Sequence, residues 1–260
     1  MSAAASTPTP VSALRCEGVN VQFGALWAVN NVTLDFVSGG IQSVIGPNGA
    51  GKTTLINVLS GRQKPNSGRV LMAGRDITAS GAHQRARQGI GRSFQITKVF
   101  GGMTVFENLR LAAQAGAFRF QPFWRPVEGY GELADRADAV VEQIGLTGFR
   151  DHPAELLSHG DQRALELGIT LMTAPTILLL DEPLAGVGER EIEHTMEVIT
   201  AVARGRTVIL IEHNIDVVMR VSSRVVVMNQ GAVLSLGTPD EVRHDPAVRE
   251  AYLGDEHALA

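Results

Sequence analysis

Residues 46–54 read GPNGAGKTT and follow the short apolar run IQSVI. The stretch satisfies the pattern G-x-x-x-x-G-K-[ST]. Its glycines let successive backbone N–H groups point at phosphates, Lys52 brings a positive charge to the β and γ groups, and the Thr53 hydroxyl can ligate Mg²⁺. The apolar strand before the loop and the helix expected after it, whose positive end would face the same anion, argue against a mere glycine-rich turn. The stretch therefore predicts a nucleoside triphosphate site formed by Gly46, Pro47, Asn48, Gly49, Ala50, Gly51, Lys52, Thr53 and Thr54.

Length and composition set wide bounds on the fold. With 260 residues and 44% apolar content, the chain can bury one large core or a core with a subdomain. Its 23 basic and 27 acidic residues give a net charge of −4 with no block of Lys or Arg, so no nucleic-acid partner is expected. With a single cysteine, Cys16, the chain cannot form an intramolecular disulfide, which favours a reducing compartment. Cys16 is expected to be a small buried apolar residue.

No segment of the sequence predicts a membrane span. The first ten residues lack the basic and apolar regions of a signal peptide and are expected to form a flexible tail. Apolar runs such as those at 177–180 and 208–211 are far shorter than the roughly 20 residues that cross a bilayer. Any membrane role is therefore expected to come through partners.

The pattern along the chain predicts a mixed α/β core with a helical insertion. Short apolar stretches separated by turns over residues 12–45 predict an antiparallel β layer that leads into the loop. GRVLMAGRDI predicts a strand with a turn at Gly74, and residues 102–167 show helical spacing of apolar residues. Beyond them, TILLLD and TVILIE predict buried strands, and residues 189–203 and NIDVVMRVSS predict helices. VVVMNQGAVLSLG predicts a hairpin that turns at residues 229–231. Thr238, Pro239 and Glu241 predict a capped last helix.

A second motif, TILLLDE at 176–182, is an apolar strand that ends in two carboxylates. Open α/β sheets bind their ligands at the carboxyl ends of such strands. Asp181 is predicted to hold Mg²⁺, and Glu182 to orient or deprotonate the attacking water. By itself the motif could be an ordinary polar strand end. In a chain that also has a phosphate loop, it favours hydrolysis of the nucleotide over nucleotide binding without hydrolysis.

A third motif, LSHGDQ at 157–162, resembles the LSGGQ signature of the ATP-binding cassette (ABC) ATPases. The match rests on Leu157, Ser158, Gly160 and Gln162, and His159 replaces the first glycine. A helix is expected to begin at Gly160, after Ser158. The resemblance implies an α/β fold: a P-loop NTPase (RecA-like) core with an antiparallel β layer and a helical subdomain. It also implies that Ser158, Gly160 and Gln162 complete the ATP site of a second cassette, so that two chains form each closed site.

The resemblance runs from about residue 14 to residue 254 and implies further roles. Phe23, in VQFGALWAV, occupies the position of an aromatic that stacks on adenine; from chemistry alone it could equally be a core residue. Gln95, in RSFQITKVF, matches the loop glutamine that reaches Mg²⁺ or the attacking water. His213, in LIEHN, matches the histidine that contacts the γ-phosphate, although a lone histidine at a strand end is more often structural. Gly188 departs from the usual Asn, Asp or Ser, which puts one hydrogen bond between the two sites in doubt.

Within the family, several sequence segments resemble those of cassettes from branched-chain and hydrophobic amino-acid importers. Among them are FQITKVFGGMTVFENL, LLLDEPLAG and the terminal AYLG. The resemblance implies two transmembrane permease subunits, a solute-binding protein that acts indirectly, and a partner cassette that is identical or related. It implies a peripheral position at the cytoplasmic face of the inner membrane. Cassettes for urea, amides or aromatic acids and a lipopolysaccharide exporter remain alternatives. A ribosome or DNA-repair protein is disfavoured because there is one cassette and no long coiled coil, and a silent cassette because Glu182, His213 and Ser158 are present.

The expected organisation is one ABC ATPase domain over residues 12–255, with tails at 1–11 and 256–260 and a helical subdomain at about 97–165. Residues 117–130, AFRFQPFWRPVEGY, gather five aromatic side chains near arginines. Such a composition suits a docking surface beside the permease. A loop folded back on the helical subdomain is the alternative.

Overall fold

The computed structural model describes residues 12–93, 99–117 and 131–252. Within them the chain forms two β-sheets and surrounding helices. The first sheet is antiparallel, has the strand order β2-β1-β4-β5, and consists of β1 (Ser12–Phe23), β2 (Leu26–Val37), β4 (Ser67–Met72) and β5 (Arg75–Asp76). It confirms the predicted β layer and the turn between β4 and β5.

The second sheet carries the parallel core. Its order is β10-β9-β3-β8-β7-β6, with β3 parallel to β8 and β9, β7 parallel to β6 and β8, and β9 antiparallel to β10. Its strands are β3 (Gly40–Ile45), β6 (Ile90–Arg92), β7 (Ile177–Asp181), β8 (Thr207–Ile211), β9 (Arg224–Asn229) and β10 (Ala232–Gly237). Every residue of β7 and β8 is buried, because helices or the other sheet cover both faces of the parallel sheet. Strands in such a position need a nearly continuous run of apolar residues. The run IQSVI thus belongs to this sheet and not to the antiparallel layer.

Helices cover both faces of the parallel sheet. Leu165, Leu178 and Leu210 lie in one core, on the face covered by the helices between β6 and β8. Leu55 and Leu179 lie in the other, between the parallel sheet, the antiparallel sheet and the first helix. The helices are α1 (Lys52–Leu59), α2 (Ala82–Arg87), α3 (Val105–Ala117), α4 (Gly131–Gln143), α5 (His159–Leu171), α6 (Glu189–Ala203), α7 (Ile215–Val221), α8 (Pro239–His244) and α9 (Pro246–Tyr252).

Several local predictions are confirmed and two need correction. Helix α6 has the predicted bounds, the β9–β10 hairpin turns where expected, and Thr238 and Glu241 form the capping box of α8. However, α8 is followed by α9, so it is not the last helix. Helix α5 begins at His159 and not at Gly160, because the Ser158 side chain caps it by accepting from the Asp161 N–H.

Arg85, on α2, joins the phosphate-loop helix to the antiparallel layer. It is 1% exposed, and in the described part of the chain its guanidinium donates five hydrogen bonds, all to backbone carbonyl oxygens. Two of these oxygens, on Val58 and Leu59, lie at the carboxyl end of α1, where a positive charge is favourable. The others lie on the segment that follows β5. Nothing in the sequence pattern set this arginine apart from its neighbours.

We expect Arg85→Met to lower the free energy of unfolding by roughly 2–4 kcal/mol, since it leaves several buried carbonyl groups without their donor. The free energy of unfolding of Arg85→Lys should lie between those of wild type and Arg85→Met, because three donors on one nitrogen cannot replace the planar guanidinium group. Urea unfolding followed by circular dichroism measures both changes. A loss below about 1 kcal/mol for Arg85→Met, the size of an ordinary hydrogen bond, would contradict this account.

Candidate functional site

The phosphate loop lies between β3 and α1, and its shape depends on glycine at two positions. Gly46 has φ 151°, and a Cβ atom there would lie 2.1 Å from the carbonyl oxygen of Met228. Gly51 has φ 99°, and a Cβ atom there would lie 2.1 Å from the carbonyl oxygen of Ala28. Both conformations are costly for residues with a side chain. The loop can therefore keep its backbone close to β2 and β9 only with glycine at these places.

Lys52 is the first residue of α1 and lies under the loop. It is 5% exposed, and its Nζ donates to the carbonyl oxygens of Gly46 at 2.7 Å and Pro47 at 3.0 Å. Burial lowers the pKa of Lys52, and the carboxylates of Glu182 and Asp181 oppose that shift. The ammonium group is thus held at the base of the loop by neutral acceptors, where its charge can act on an anion above it.

Asp181 ends β7, and its side chain is fully buried. Its Oδ2 accepts a hydrogen bond from Arg92 Nη2 at 2.8 Å, whereas Oδ1 is buried and has no hydrogen-bond partner among the described residues. Burial raises the pKa of Asp181, and the Arg92 guanidinium opposes the shift. A buried carboxylate oxygen without a partner is costly unless it binds a ligand.

The surroundings of Asp181 fit a magnesium ion. Thr53, in the first turn of α1, is exposed and lines the cleft above the loop. A carboxylate oxygen and a hydroxyl are both ligands that Mg²⁺ accepts, and the ion commonly takes its remaining ligands from phosphate and water. The chemistry of these two donors therefore fits the predicted metal site, although Asp181 itself does not line the cleft.

Arg92 was not predicted from the sequence, yet it connects three parts of the site. Besides Asp181, its guanidinium donates to Asn57 Oδ1 at 2.7 Å and to Ser60 Oγ at 2.9 Å, both on or next to α1. Burial lowers the pKa of Arg92, and Asp181 opposes the shift. The Arg92 side chain thus connects β6 with β7 through the ion pair, and with the phosphate-loop helix through the other two hydrogen bonds.

Glu182 and His213 face each other at the ends of the neighbouring strands β7 and β8. Glu182 Oε1 lies 2.6 Å from His213 Nε2, and the Glu182 N–H donates to the Ile211 carbonyl oxygen at 2.9 Å. Both side chains are partly exposed. Glu182 has φ 51°, a strained backbone conformation for a residue with a side chain. Strain of this kind persists where the surroundings hold the residue in place, as the bond to Ile211 holds the Glu182 backbone.

A cleft of about 600 Å³ lies above the loop. It brings together many of the predicted residues: Phe23, Asn48, Gly49, Ala50, Gly51, Lys52, Thr53, Thr54, Glu182 and His213. It is also lined by four residues that sequence reasoning missed: Leu26, Trp27, Ala28 and Gln230. Phe23 is 52% exposed, which excludes the alternative that it is a core residue. Trp27 is 44% exposed, so the lining combines aromatic and aliphatic side chains with charged groups.

The LSHGDQ segment lies outside this cleft. Ser158 Oγ donates to Asp161 Oδ2 at 2.9 Å, and Gln162 Nε2 donates to the Leu157 carbonyl oxygen at 3.2 Å. Ser158, Gly160 and Gln162 do not line the cleft of their own chain. Their polar groups cap α5 and fix the loop before it.

Some predictions lie outside the described residues. Gln95 is one of them, and so are residues 118–130, which hold the aromatic side chains of the segment AFRFQPFWRPVEGY. Within residues 12–93, 99–117 and 131–252, no helix has the length and apolar character needed to cross a bilayer.

A glycine-dependent loop at the head of a helix, a buried lysine beneath it and an acidic strand end beside it define a P-loop nucleotide hydrolase. Residues 29–185 match the model of the ABC transporter family, and residues 232–258 match that of the branched-chain amino acid ATP-binding cassette transporter. The chain belongs to the ABC transporter family and is one of its nucleotide-binding, ATP-hydrolysing cassettes.

Similar proteins cover almost the whole chain. It is 40% identical over 252 residues to the high-affinity branched-chain amino acid transport ATP-binding protein LivG of Salmonella typhimurium, which covers 93% of this chain and 98% of that protein. It is 30% identical over 250 residues to the lipopolysaccharide export system ATP-binding protein LptB of Haemophilus influenzae. That alignment covers 96% of this chain and 100% of LptB. The crystal structure of the ADP conformation of MJ1267, an ATP-binding cassette of an ABC transporter, aligns with a TM-score of 0.82 and 31% identity, covering 94% of this chain and 99% of that one.

Proposed function

We propose that this chain is the ATP-hydrolysing cassette of an importer for branched-chain or other hydrophobic amino acids. The observation that carries the proposal is the match of residues 232–258 to the branched-chain amino acid cassette model, a region outside the general ABC match. Identity of 40% to LivG supports it, against 30% to the lipopolysaccharide-export protein LptB. Importers of urea, amides or aromatic acids remain alternatives for the cargo.

The catalytic unit is proposed to be a dimer of cassettes, with an identical or a related partner. Support comes from the position of Ser158, Gly160 and Gln162, which lie outside the cleft that holds the phosphate loop of their own chain. In a head-to-tail pair, the signature segment of each chain would cover the nucleotide in the cleft of the other. ATP would then favour the closed pair because it contacts both chains only in that state.

Each residue has a defined part in this proposal. Phe23 stacks on the adenine, the phosphate loop binds the phosphates, and Lys52 neutralises charge on the β and γ groups. Thr53 and Asp181 hold Mg²⁺, which, when bound, offsets phosphate charge.

The proposed hydrolytic step needs a base beside the γ-phosphate. Glu182 accepts a proton from the attacking water, and the ring of His213, 2.6 Å from it, fixes the direction of that carboxylate and lies beside the same phosphate. Gln95 keeps its proposed role at the metal or the water.

The permease is proposed to dock on an exposed apolar patch formed by Phe100, Met103 and Leu156. Phe100 is 57% exposed and Leu156 70% exposed. The two segments that carry them are held side by side by the bonds from Ala154 N–H to the Met103 carbonyl oxygen at 2.9 Å and from Glu155 N–H to the Gly101 carbonyl oxygen at 3.1 Å. Large apolar side chains exposed on a rigid base favour a protein partner.

We expect the double substitution Phe100→Ser and Leu156→Ser to reduce the permease that co-purifies with the cassette at least about tenfold, the effect of losing well over 1 kcal/mol of contact energy. The ATPase activity of the isolated cassette should not change. Leu236→Ser, at a 40% exposed position on β10, is the matched control. Full recovery of permease with the double variant would place the contact elsewhere.

The whole proposal is tested by isolating the tagged chain from solubilised membranes of its native host and identifying its partners by mass spectrometry. We expect two multi-span permeases, a second cassette and a solute-binding protein to co-purify, with the cassette itself at the cytoplasmic face of the inner membrane. Recovery of lipid-export components instead would be consistent with ATP hydrolysis by this chain but would contradict its assignment to an importer. Amino-acid binding by the recovered solute-binding protein then identifies the cargo.

A further inference from the structure

Glu212 is a buried acid next to the candidate site that the proposed chemistry does not use. It follows β8 directly and is 4% exposed. Its Oε1 accepts from the Leu184 N–H at 2.8 Å and its Oε2 from the His213 N–H at 3.0 Å. The N–H of Asn214 is a third donor to the same carboxylate.

These donors belong to two different loops. Leu184 lies in the loop 183–188, which follows Glu182, and its side chain packs in a small cluster with Met196 and Val217. The other two donors belong to the loop that carries His213. One carboxylate therefore connects the loop after the proposed base with the loop of the histidine that contacts it.

The loop 183–188 ends at Gly188, the N-cap of α6, which has no side chain with which to anchor the loop. Inside the loop, the Ala185 N–H donates to the Glu182 carbonyl oxygen at 3.0 Å and the Val187 N–H to that of Leu184 at 3.1 Å. These bonds shape the loop but do not join it to the end of β8. The Glu182 N–H bonds Ile211 there, and the bond from Leu184 to Glu212 holds the loop that follows.

A carboxylate is well suited to this place. It accepts hydrogen bonds at both oxygens and donates none when ionised, whereas a glutamine amide would turn one NH₂ group toward a backbone N–H. Burial raises the pKa of Glu212, and the three backbone N–H groups oppose the shift. An acid kept at such a buried position is costly, so its bonds are expected to have a use beyond packing.

We propose that Glu212 is a positioning residue for ATP hydrolysis, which holds the loop 183–188 against the His213 loop and so keeps Glu182 and His213 in contact. This inference rests on the proposed function. It assigns to Glu212 an effect on the rate of hydrolysis and none on nucleotide affinity, because Glu212 does not line the cleft.

The test uses the full-length chain, with wild type, Glu212→Asp and Glu212→Gln compared in steady-state ATPase assays. Aspartate keeps the charge and can still bond the nearby His213 and Asn214 N–H groups, but it is one methylene too short for Leu184. We expect kcat to fall about 10- to 100-fold in both variants, the effect of a small misplacement of catalytic groups, with KM within about twofold of wild type.

Val70→Ala, in the antiparallel sheet, is the control for lost stability. Val70 is fully buried and lies in β4, in the other sheet from the strand that leads to Glu212, so this variant should keep kcat at temperatures where it is folded. The inference is overturned if Glu212→Asp keeps its kcat, if it changes KM alone, or if Val70→Ala loses kcat in parallel. A wild-type chain without ATPase activity would instead overturn the proposed function, and the inference with it.

Discussion

Glu182→Gln is expected to lower ATP turnover by about 10²- to 10⁴-fold, the usual contribution of a general base. Glutamine has the same shape and can still hydrogen-bond His213, whose Nε2 lies 2.6 Å from Glu182 Oε1, but it cannot accept a proton from water. Lys52 and the phosphate loop are not altered. ATP affinity should therefore stay within about twofold of wild type, and ATP-bound dimers should accumulate because the nucleotide that closes them is not consumed.

The structure provides a reporter for this experiment. The chain has two tryptophans, and Trp124→Phe leaves only Trp27, which lines the cleft. Its fluorescence during an ATP titration measures binding, and sedimentation velocity measures the dimer. Glu142→Gln, the same chemical change at an exposed position on α4, is the matched control and should hydrolyse ATP normally. A Glu182→Gln variant that turns over at the wild-type rate would remove Glu182 from its proposed role.

The parts of the fold that could be predicted from the sequence are those with strong local signals. The buried strands β7 and β8 read as continuous apolar runs, and the capping box of α8 needs only Thr238 and Glu241, three residues apart. The phosphate loop depends on glycines whose neighbours in space, Met228 and Ala28, are distant in the chain, but the motif itself is local. Such features are decided within a few residues.

Three charged residues could not be predicted because their partners are far away in sequence. Arg92 and Asp181 are 89 positions apart, and Glu212 and Leu184 are 28 apart. Arg85 reaches Val58 across 27 positions. In the sequence each of them looks like an ordinary surface charge, and only the packed fold shows that all three are largely buried.

Short elements escaped prediction for a related reason. Strand β6 has three residues and exists because it pairs with β7, while α2 and α9 are one to two turns long. Elements of this length are held by tertiary contacts and carry little periodicity of their own. The one-residue error at the start of α5 has a different cause: the side chain of Ser158 sets the helix boundary, not the glycine two residues later.

Lys52→Ala is expected to weaken ATP binding by about 10- to 100-fold, which corresponds to the loss of a charged hydrogen bond of roughly 1.5–3 kcal/mol. The lysine is 5% exposed, and its Nζ contacts only the carbonyl oxygens of Gly46 and Pro47 among the described residues. Two neutral acceptors offset little of the cost of burying a charge, so the position makes sense if an anion completes its surroundings. Lys64→Ala, which removes an exposed lysine after α1, is the matched control.

The nucleotide series makes this prediction sharper than an affinity loss alone. AMP has no β or γ phosphate, so its affinity, measured by competition in the Trp27 assay, should be the same for Lys52→Ala and wild type. ATP and ADP should both bind more weakly to the variant. A loss that extended equally to AMP would mean that alanine had collapsed the loop that Lys52 supports through Gly46 and Pro47. Unchanged ATP affinity would mean that the buried ammonium group does not act on the phosphates.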